Sequence, residues 1–160
     1  MPDFLADKVQ KTLEEKRLFL VTAESCTGGL LSVALTDTPG ASKVFDRGLV
    51  TYSHEAKIEI LKVHPDILED HGAVSAETAK AMAEGALQQS TRAHISASVT
   101  GIAGPTGDTP TKPIGLVYIG IGQFDKETIV FRHEFKGDRD AIRKQSVDAV
   151  FTHILEVASK

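Results

Sequence analysis

Apolar and polar residues along the chain follow two periods, one typical of helices and the other of strands. A continuous apolar run at 18–23 predicts a buried strand, and the flanking segments 3–16 and 27–37 carry apolar residues on one helical face. The remaining predicted elements are a strand at 48–52, a helix from 53, a short helical piece from 65 to about 70, a helix from 75 to about 90, strands at 93–100, 114–122 and 127–135, and a last helix ending at about 158.

Polar side chains stand where several of these helices begin. Asp3, Ser53 and Ser75 each precede a helical pattern and can accept a hydrogen bond from a backbone N–H of the first turn. The run 137–140 is predicted to cap the last helix in the same way. The helix from residue 75 also carries an alanine-rich face, which can approach a sheet closely.

Helices and strands alternate over the first two thirds of the chain, and a hairpin with its turn at 123–126 follows. This order predicts a three-layer α/β/α sandwich built on a mixed, largely parallel sheet. The 160 residues suit a single domain, 1–160. Ligands of such sheets bind at the carboxyl ends of the strands, where Ser25, Tyr52 and the loop at Gly101 are predicted to lie.

Composition and charge narrow the classes of protein to consider. The chain is 41% hydrophobic and 25% charged, and its net charge of −4 gives no electrostatic footprint for direct nucleic-acid binding. No apolar run approaches the roughly 20 residues of a membrane helix, and no signal peptide is apparent. A single cysteine excludes an internal disulfide, and the six histidines lack metal-ligand spacing. We therefore expect a cytoplasmic protein with no membrane contact and no metal.

The strand at 18–23 leads into small and polar residues, and a helical pattern follows. This order places Ser25, Cys26 and Thr27 at a helix N-terminus, where free backbone N–H groups and the helix dipole favour negative charge. Together with Gly28 and Gly29, these residues are consistent with a reaction site. They are equally consistent with a capped helix whose glycines allow close packing.

A second candidate feature surrounds the start of the helix at residue 53. Tyr52 lies at a strand end, and Lys57 follows the Ser53 cap by four residues, so its side chain can point back toward the helix N-terminus. The dipole and partial burial would both lower the pKa of Lys57, and a neutral lysine can deprotonate a serine. The alternative is an exposed lysine and a tyrosine packed on the sheet.

The glycine-rich loop from Gly101 to Asp108 follows an apolar strand. It matches neither the dinucleotide-binding fingerprint nor the P-loop, so no nucleotide cofactor is predicted from it. Its exposed backbone N–H groups could approach a ligand, although a plain strand-to-strand connection explains the composition as well.

Six short motifs, each weak alone, follow one another at specific spacings. They are AESCTGG at 23–29, GLVTYS at 48–53, EAK at 55–57, HGAVS at 71–75, TGIAGP at 100–105 and GDR at 137–139. Together they resemble the C-terminal domain of the CinA (competence/damage-inducible protein) family, over about residues 5–158. Full-length members also carry a molybdopterin-binding-like hydrolase module, which has no counterpart in these residues, so its activity is not carried over.

The resemblance implies a nicotinamide-nucleotide amidase. Such an enzyme hydrolyses nicotinamide mononucleotide to nicotinate mononucleotide and ammonia, and needs no metal or redox cofactor. The catalytic serine, tyrosine and lysine of the family fall on Ser25, Tyr52 and Lys57. Two alternatives stay open: a non-catalytic nucleotide- or partner-binding module of the competence or DNA-damage response, and an amidase for another pyridine nucleotide.

Local chemistry suggests which further residues contact the substrate. Candidates for the phosphate and ribose are the following: Thr27, Gly28, Gly29, Gly101, Gly104 and, as a weaker candidate, Arg139. Backbone N–H groups near Thr27 and Gly28 are expected to stabilise the oxyanion. Glu24 is expected to orient Lys57 or the amide nitrogen, unless it forms a structural salt bridge.

Two further expectations concern Cys26 and assembly. Cys26 is a rival nucleophile because a helix N-terminus lowers the pKa of a thiol, although no histidine partner is evident. We also expect a homo-oligomer, because the hairpin edge and the alanine-rich helix could support a dimer.

Overall fold

The computed structural model describes residues 4–160. Their elements are the following: α1 Phe4–Glu15, β1 Leu20–Glu24, α2 Leu30–Thr36, β2 Phe45–Val50, α3 His54–Leu61, α4 Pro65–His71, α5 Ala76–Gln89, β3 Ile95–Gly101, β4 Leu116–Gln123, β5 Ile129–Glu134 and α6 Arg139–Ala158. A single 3₁₀ turn at Ala41–Lys43 precedes β2.

The strands of this part of the chain form one sheet in the order β2-β1-β3-β4-β5. β1 pairs in parallel with β2 and with β3, whereas β4 runs antiparallel to both β3 and β5. The interior strand β1 is buried on both faces, which explains its continuous apolar run. The predicted mixed sheet is confirmed, and its parallel part is the half that contains β1.

Helices cover both faces of the sheet and give three layers. α1, α2 and α6 pack together on one face, and α5, with α3 and α4 beside it, covers the other. Each face has its own apolar core, one centred on α6 and one on α5. The α/β/α sandwich expected from the sequence is therefore confirmed. No helix within residues 4–160 is long and apolar enough to cross a membrane.

The predicted helix starts agree with the structure at three positions. Ser53 Oγ accepts a hydrogen bond from the Ala56 N–H, Ser75 Oγ accepts one from the Thr78 N–H, and an oxygen of Asp138 caps α6. The proposed cap Asp3 lies outside the described residues.

Two local predictions were wrong. The helix expected from residue 27 begins only at Leu30, because residues 25–29 form a turn that includes two left-handed glycines, at 28 and 29. β2 begins at Phe45 rather than at Gly48. The irregularity expected near Gly48 lies instead beside Asp46, where the register with β1 shifts between Leu20 and Val21.

Small residues let α5 lie directly against the sheet. Ser96 Oγ donates to the Ala83 carbonyl at 2.7 Å, and Ser98 Oγ donates to the Ala79 carbonyl at 2.6 Å. A Cβ atom at Gly120 of β4 would stand only 2.7 Å from the Ala79 carbonyl oxygen. The alanine-rich face of α5 is thus buried in the molecule and unavailable for the dimer contact considered above. The homo-oligomer itself stays a prediction.

The contact between α3 and α5 gives the first testable prediction. A Cβ atom at Gly85 would overlap the backbone carbonyl of Leu61, which cannot rotate away. Alanine favours helices over glycine by about 1 kcal/mol, yet we expect Gly85→Ala to lower the free energy of unfolding by about 2 kcal/mol, because overpacking outweighs propensity. Urea unfolding measures this change.

The neighbouring Glu84→Ala is the matched control, because the Glu84 side chain is 46% exposed. It should change the free energy of unfolding by no more than about 0.5 kcal/mol. A Gly85→Ala protein more stable than the wild type would show that α3 and α5 are not in this close contact.

Candidate active site

A cavity of about 210 Å³ opens at the carboxyl ends of β1, β2 and β3. Register places the ends of these strands side by side, since Glu24 of β1 lies opposite Val50 of β2 and Val99 of β3. The residues that follow the strands therefore meet at one edge of the sheet. The cavity is lined by Ser25, Cys26, Tyr52, His54, Lys57, Ala73, Val74, Thr100, Gly101, Ala103 and Arg139.

Lys57 is completely buried at the base of this cavity. Its Nζ atom lies 3.0 Å from Ser25 Oγ, 2.9 Å from the Thr51 carbonyl oxygen and 2.9 Å from the Tyr52 carbonyl oxygen. The cap at Ser53 turns the chain from β2 into α3, and the spacing of four residues brings Lys57 back over the strand end. This return was expected from the sequence.

The two carbonyl oxygens determine what the third contact of Nζ can be. Carbonyl oxygens only accept hydrogen bonds, so they fix two N–H bonds of Lys57 in either charge state. In the ammonium form the third N–H donates to Ser25 Oγ. In the neutral amine form a lone pair takes that direction, and the serine hydroxyl donates to Nζ. The geometry therefore suits a base that removes the hydroxyl proton.

Burial lowers the pKa of Lys57 from 10.5 to about 8. None of the hydrogen bonds or ion pairs of Lys57 within residues 4–160 involves a carboxylate that would restore it. With a pKa near 8, Lys57 is neutral in about a tenth of the molecules at pH 7. The neutral fraction of Lys57 is thus a consequence of its burial, and a neutral amine can act as the base for a serine nucleophile.

Ser25 heads the turn that joins β1 to α2. Its N–H donates to the Val99 carbonyl at 3.0 Å, which ties the residue to the neighbouring strand β3. The residue is 8% exposed and faces the cavity. We refer to residues 25–29 as the nucleophile turn.

Glu24 has a structural position beside the nucleophile turn. The residue is completely buried, and its carboxylate accepts hydrogen bonds from five groups: the Thr27 and Ser32 hydroxyls and the N–H groups of Gly29, Leu31 and Ser32. These are the free donors at the start of α2, so Glu24 caps that helix. Among residues 4–160 it forms neither a hydrogen bond to Lys57 nor a salt bridge, whereas a contact with the amide nitrogen of a substrate stays a prediction.

Most of the nucleophile turn is occupied by internal hydrogen bonds. The Gly28 N–H donates to the Ser25 carbonyl at 3.1 Å, and the Gly29 N–H donates to Glu24 at 3.3 Å. These amides are therefore not free for an oxyanion or a phosphate, contrary to expectation. Within residues 4–160, the N–H groups of Cys26 and Thr27 have no backbone acceptor.

Cys26 is a poor nucleophile in this position. Burial raises the pKa of its thiol to about 11, against the lowering expected at a helix N-terminus. The expected lowering by the helix N-terminus is missing because α2 begins four residues later, so the buried thiol does not contact the helix end. The thiol stays protonated at neutral pH, and Ser25 is the better candidate.

Tyr52 lies on the rim of the cavity and is 63% exposed. Its carbonyl, not its phenol, contacts Lys57, so a tyrosine is not needed to relay the proton between Ser25 and Lys57. His54, the first residue of α3, also lines the cavity and was missed. Its place in the same helical turn as Lys57 was the signal available in the sequence.

Another wall consists of residues 73–74, the end of β3 and Ala103. Thr100 Oγ donates to the Ala73 carbonyl at 2.8 Å and holds this wall in place. Sequence reasoning also missed residues 73 and 74. Gly101 lines the cavity, but its lack of a side chain is explained by packing, because a Cβ atom would stand 2.6 Å from Val117 Cγ2.

Arg139 brings a guanidinium to this cavity in addition to the amine of Lys57. It is the first residue of α6, and its Nη1 donates to the Gly104 carbonyl at 2.8 Å, which holds the guanidinium beside the mouth. The structure thus brings Arg139 to Ser25 and Lys57, whereas Gly104 acts through its carbonyl and does not line the cavity. Within residues 4–160 there is no group of three or more acidic, histidine or cysteine side chains that could hold a metal ion.

The site is a buried serine–lysine pair in a cavity at the sheet edge of an α/β/α sandwich. In proteins with such a pair, the lysine amine can accept the proton of the serine hydroxyl. The family model of the CinA C-terminal domain matches residues 2–158, and the chain belongs to this family. The resemblance seen in the six motifs is therefore confirmed.

Relatives and solved structures agree with this membership. A protein of Caldicellulosiruptor bescii that is named as competence-damage inducible is 52% identical over 146 residues, which cover 91% of this chain and 35% of that protein. The CinA-like protein of Thermotoga maritima is 47% identical over 142 residues, or 89% of this chain and 34% of that protein. The chain thus spans about a third of the length of the curated relatives it matches.

The crystal structure of the competence/damage inducible protein CihA from Agrobacterium tumefaciens has the same fold. Its TM-score is 0.92 at 39% identity, and the match covers 98% of this chain and 94% of that one.

The low pKa of Lys57 predicts how stability depends on pH. Between its folded value of about 8 and its ordinary value of 10.5, the unfolded chain binds the proton and the folded chain does not. Stability conferred by this group therefore rises with pH in that window. We expect the free energy of unfolding of the wild type, relative to Lys57→Met, to increase by about 2 kcal/mol from pH 7 to pH 9.5.

Urea unfolding of both proteins at several pH values measures this difference, in which the groups common to both chains cancel. A difference that stays constant over the range would show that Lys57 keeps an ordinary pKa.

Proposed function

We propose that this chain is a nicotinamide-nucleotide amidase that hydrolyses nicotinamide mononucleotide to nicotinate mononucleotide and ammonia. The observation that carries the proposal is the 3.0 Å contact between Ser25 Oγ and a buried Lys57 Nζ whose pKa is lowered to about 8. Hydrolysis of an amide requires a nucleophile, a base that also returns a proton to the leaving nitrogen, and no redox chemistry. The pair supplies the first two.

The reaction begins with neutral Lys57. Its Nζ takes the hydroxyl proton while Ser25 Oγ attacks the carboxamide carbon, and a tetrahedral oxyanion forms. Lys57, now an ammonium, gives the proton to the departing nitrogen, so that ammonia leaves and the nicotinoyl group stays on Ser25. The same amine then takes a proton from water, whose oxygen attacks the ester carbon; the bond to Ser25 Oγ breaks, Lys57 returns the proton to Oγ, and the nicotinate carboxylate is released. The two carbonyl oxygens at Lys57 hold Nζ in place through both steps.

The oxyanion requires donors close to Ser25. The two amides of the nucleophile turn without a backbone acceptor in the described chain, those of Cys26 and Thr27, are the best placed for this role. Removing one such donor costs about 3 kcal/mol in a protease where it was measured.

The cavity suits one end of a mononucleotide. At about 210 Å³ it has room for a pyridine ring with its carboxamide. The ribose and phosphate would then lie toward the mouth, where the Arg139 guanidinium can pair with the phosphate. Tyr52 on the rim is proposed to contact the substrate there.

Replacement of the two candidate nucleophiles tests the assignment. Ser25→Ala should reduce ammonia release from nicotinamide mononucleotide by at least about a thousandfold, because the acyl-enzyme can no longer form. Cys26→Ala keeps the backbone amide and should retain activity within about tenfold. The measurement is coupled detection of ammonia from the purified chain.

The opposite pattern, with activity kept in Ser25→Ala and lost in Cys26→Ala, would show that the thiol is the nucleophile. A wild-type protein that binds the nucleotide and releases no ammonia would point instead to a binding module of the competence or DNA-damage response.

The phosphate role of Arg139 has its own test. Arg139→Met should raise KM for nicotinamide mononucleotide by about 10- to 100-fold, the usual worth of a hydrogen bond to a charged group, with little change in kcat. The same variant should leave KM for nicotinamide riboside, which lacks the phosphate, nearly unchanged. Steady-state kinetics with both substrates measure the two effects.

Lys144→Met is the matched control, because Lys144 is an exposed cation on the same helix that does not line this cavity. If Arg139→Met raises KM equally for nicotinamide mononucleotide and for nicotinamide riboside, Arg139 holds the loop at Gly104 and does not bind the phosphate.

A further inference from the structure

The side chain of Arg143 from α6 reaches the nucleophile turn, which lies 117 residues earlier in the chain. Its Nε donates to the Cys26 carbonyl at 3.0 Å, and its Nη2 donates to the Thr27 carbonyl at 3.2 Å. Two successive carbonyls of the turn are thus held by one planar guanidinium. Arg143 does not line the cavity, and its hydrogen bonds to the turn go to the Cys26 and Thr27 carbonyls, not to Ser25.

A hydrogen bond to a carbonyl also orients the amide on the other side of the peptide bond. The peptide unit is planar and trans, so the N–H of the following residue points opposite to the carbonyl. Since Arg143 binds the Cys26 carbonyl, it fixes the direction of the Thr27 N–H, away from the guanidinium. The Ser25 carbonyl, held by the Gly28 N–H, fixes the Cys26 N–H in the same way.

The amides fixed in this manner are those that the turn leaves uncommitted. Gly28 and Gly29 use their N–H groups within the turn, whereas those of Cys26 and Thr27 lack a backbone acceptor among residues 4–160. Successive backbone N–H groups before a left-handed residue form a concavity that binds anions, and Gly28 has φ 58°. The uncommitted amides thus form a preorganised pair beside Ser25.

We propose that Arg143 is a positioning residue that orients the Thr27 amide, which with the Cys26 amide forms the oxyanion hole of Ser25; this rests on the proposed function of the same site. The guanidinium holds the peptide planes in the direction that the developing negative charge requires. It contacts neither the substrate nor the reacting atoms. Its effect therefore falls on the transition state and spares ground-state binding.

Kinetics of Arg143 variants separate this role from a general structural one. Arg143→Met keeps the aliphatic stem and removes both donors, so we expect kcat to fall about 10- to 100-fold with KM changed less than about threefold. Arg143→Lys retains one donor and should show an intermediate kcat. Lys144→Met, next in sequence, should match the wild type in both parameters.

Thermal unfolding of the same proteins checks the fold. An Arg143→Met protein that unfolds within a few degrees of the wild type and loses kcat supports positioning. Unchanged kcat, or a rise in KM that accounts for the whole loss, overturns it.

A second measurement does not depend on the identity of the substrate. In a fluorophosphonate probe, Ser25 Oγ bonds to phosphorus, fluoride leaves and Lys57 takes the hydroxyl proton, while the phosphoryl oxygen occupies the oxyanion position. We expect the wild type to be labelled at Ser25, and Arg143→Met to be labelled at least about tenfold more slowly, with Lys144→Met unaffected.

The outcomes distinguish the two proposals. Labelling that slows in Arg143→Met supports the positioning role even if no ammonia is released from nicotinamide mononucleotide, which would remove the substrate assignment alone. Equal labelling rates in the wild type and Arg143→Met overturn the positioning role and leave the amidase proposal standing. A wild-type chain that is not labelled at Ser25 overturns both.

Discussion

The site depends on one constraint, which is that an amine is buried where only backbone carbonyls and a serine hydroxyl can meet it. Lys57 has no exposed surface, and none of its hydrogen-bond partners in the described part of the chain is a carboxylate, so neither bulk water nor a negative charge stabilises its ammonium form. This is why its pKa falls to about 8. A lysine on the surface of the same helix turn would be fully protonated at neutral pH, and Ser25 would have no base.

The fold serves that constraint by bringing three strand ends to one level. The parallel pairing of β1 with β2 and β3 sets Glu24 opposite Val50 and Val99, so the chain leaves the sheet at 25, at 51 and near 101 on the same side. Close packing of α5 on the sheet, made possible by serine and glycine on β3 and β4, supports the face from which Lys57 approaches. The position of the cavity is therefore determined first by the register of the sheet, which brings the three strand ends together.

The sequence was most informative where the physics is local. Serine caps, the strand at 18–23 and the return of Lys57 toward the end of β2 follow from spacing over four or five residues, and these predictions were confirmed. Properties that depend on burial or on distant partners were not accessible. The thiol of Cys26 titrates above its ordinary range because of packing, and Arg143 joins the turn across 117 residues. No local pattern identifies either feature.

A carboxylate and an amine, those of Glu24 and Lys57, both lie buried beside the nucleophile turn and are held apart from each other. The carboxylate of Glu24 is satisfied by N–H and hydroxyl donors at the start of α2, and the amine of Lys57 is held by the carbonyls of Thr51 and Tyr52. Had the two side chains paired, the carboxylate would have raised the pKa of the lysine and removed the base. Each buried group is therefore stabilised by its own hydrogen-bond partners and not by the other group. Residues 23–29 thus contain both the cap of α2, which is Glu24, and the serine of the candidate site, so the two interpretations of this segment are compatible.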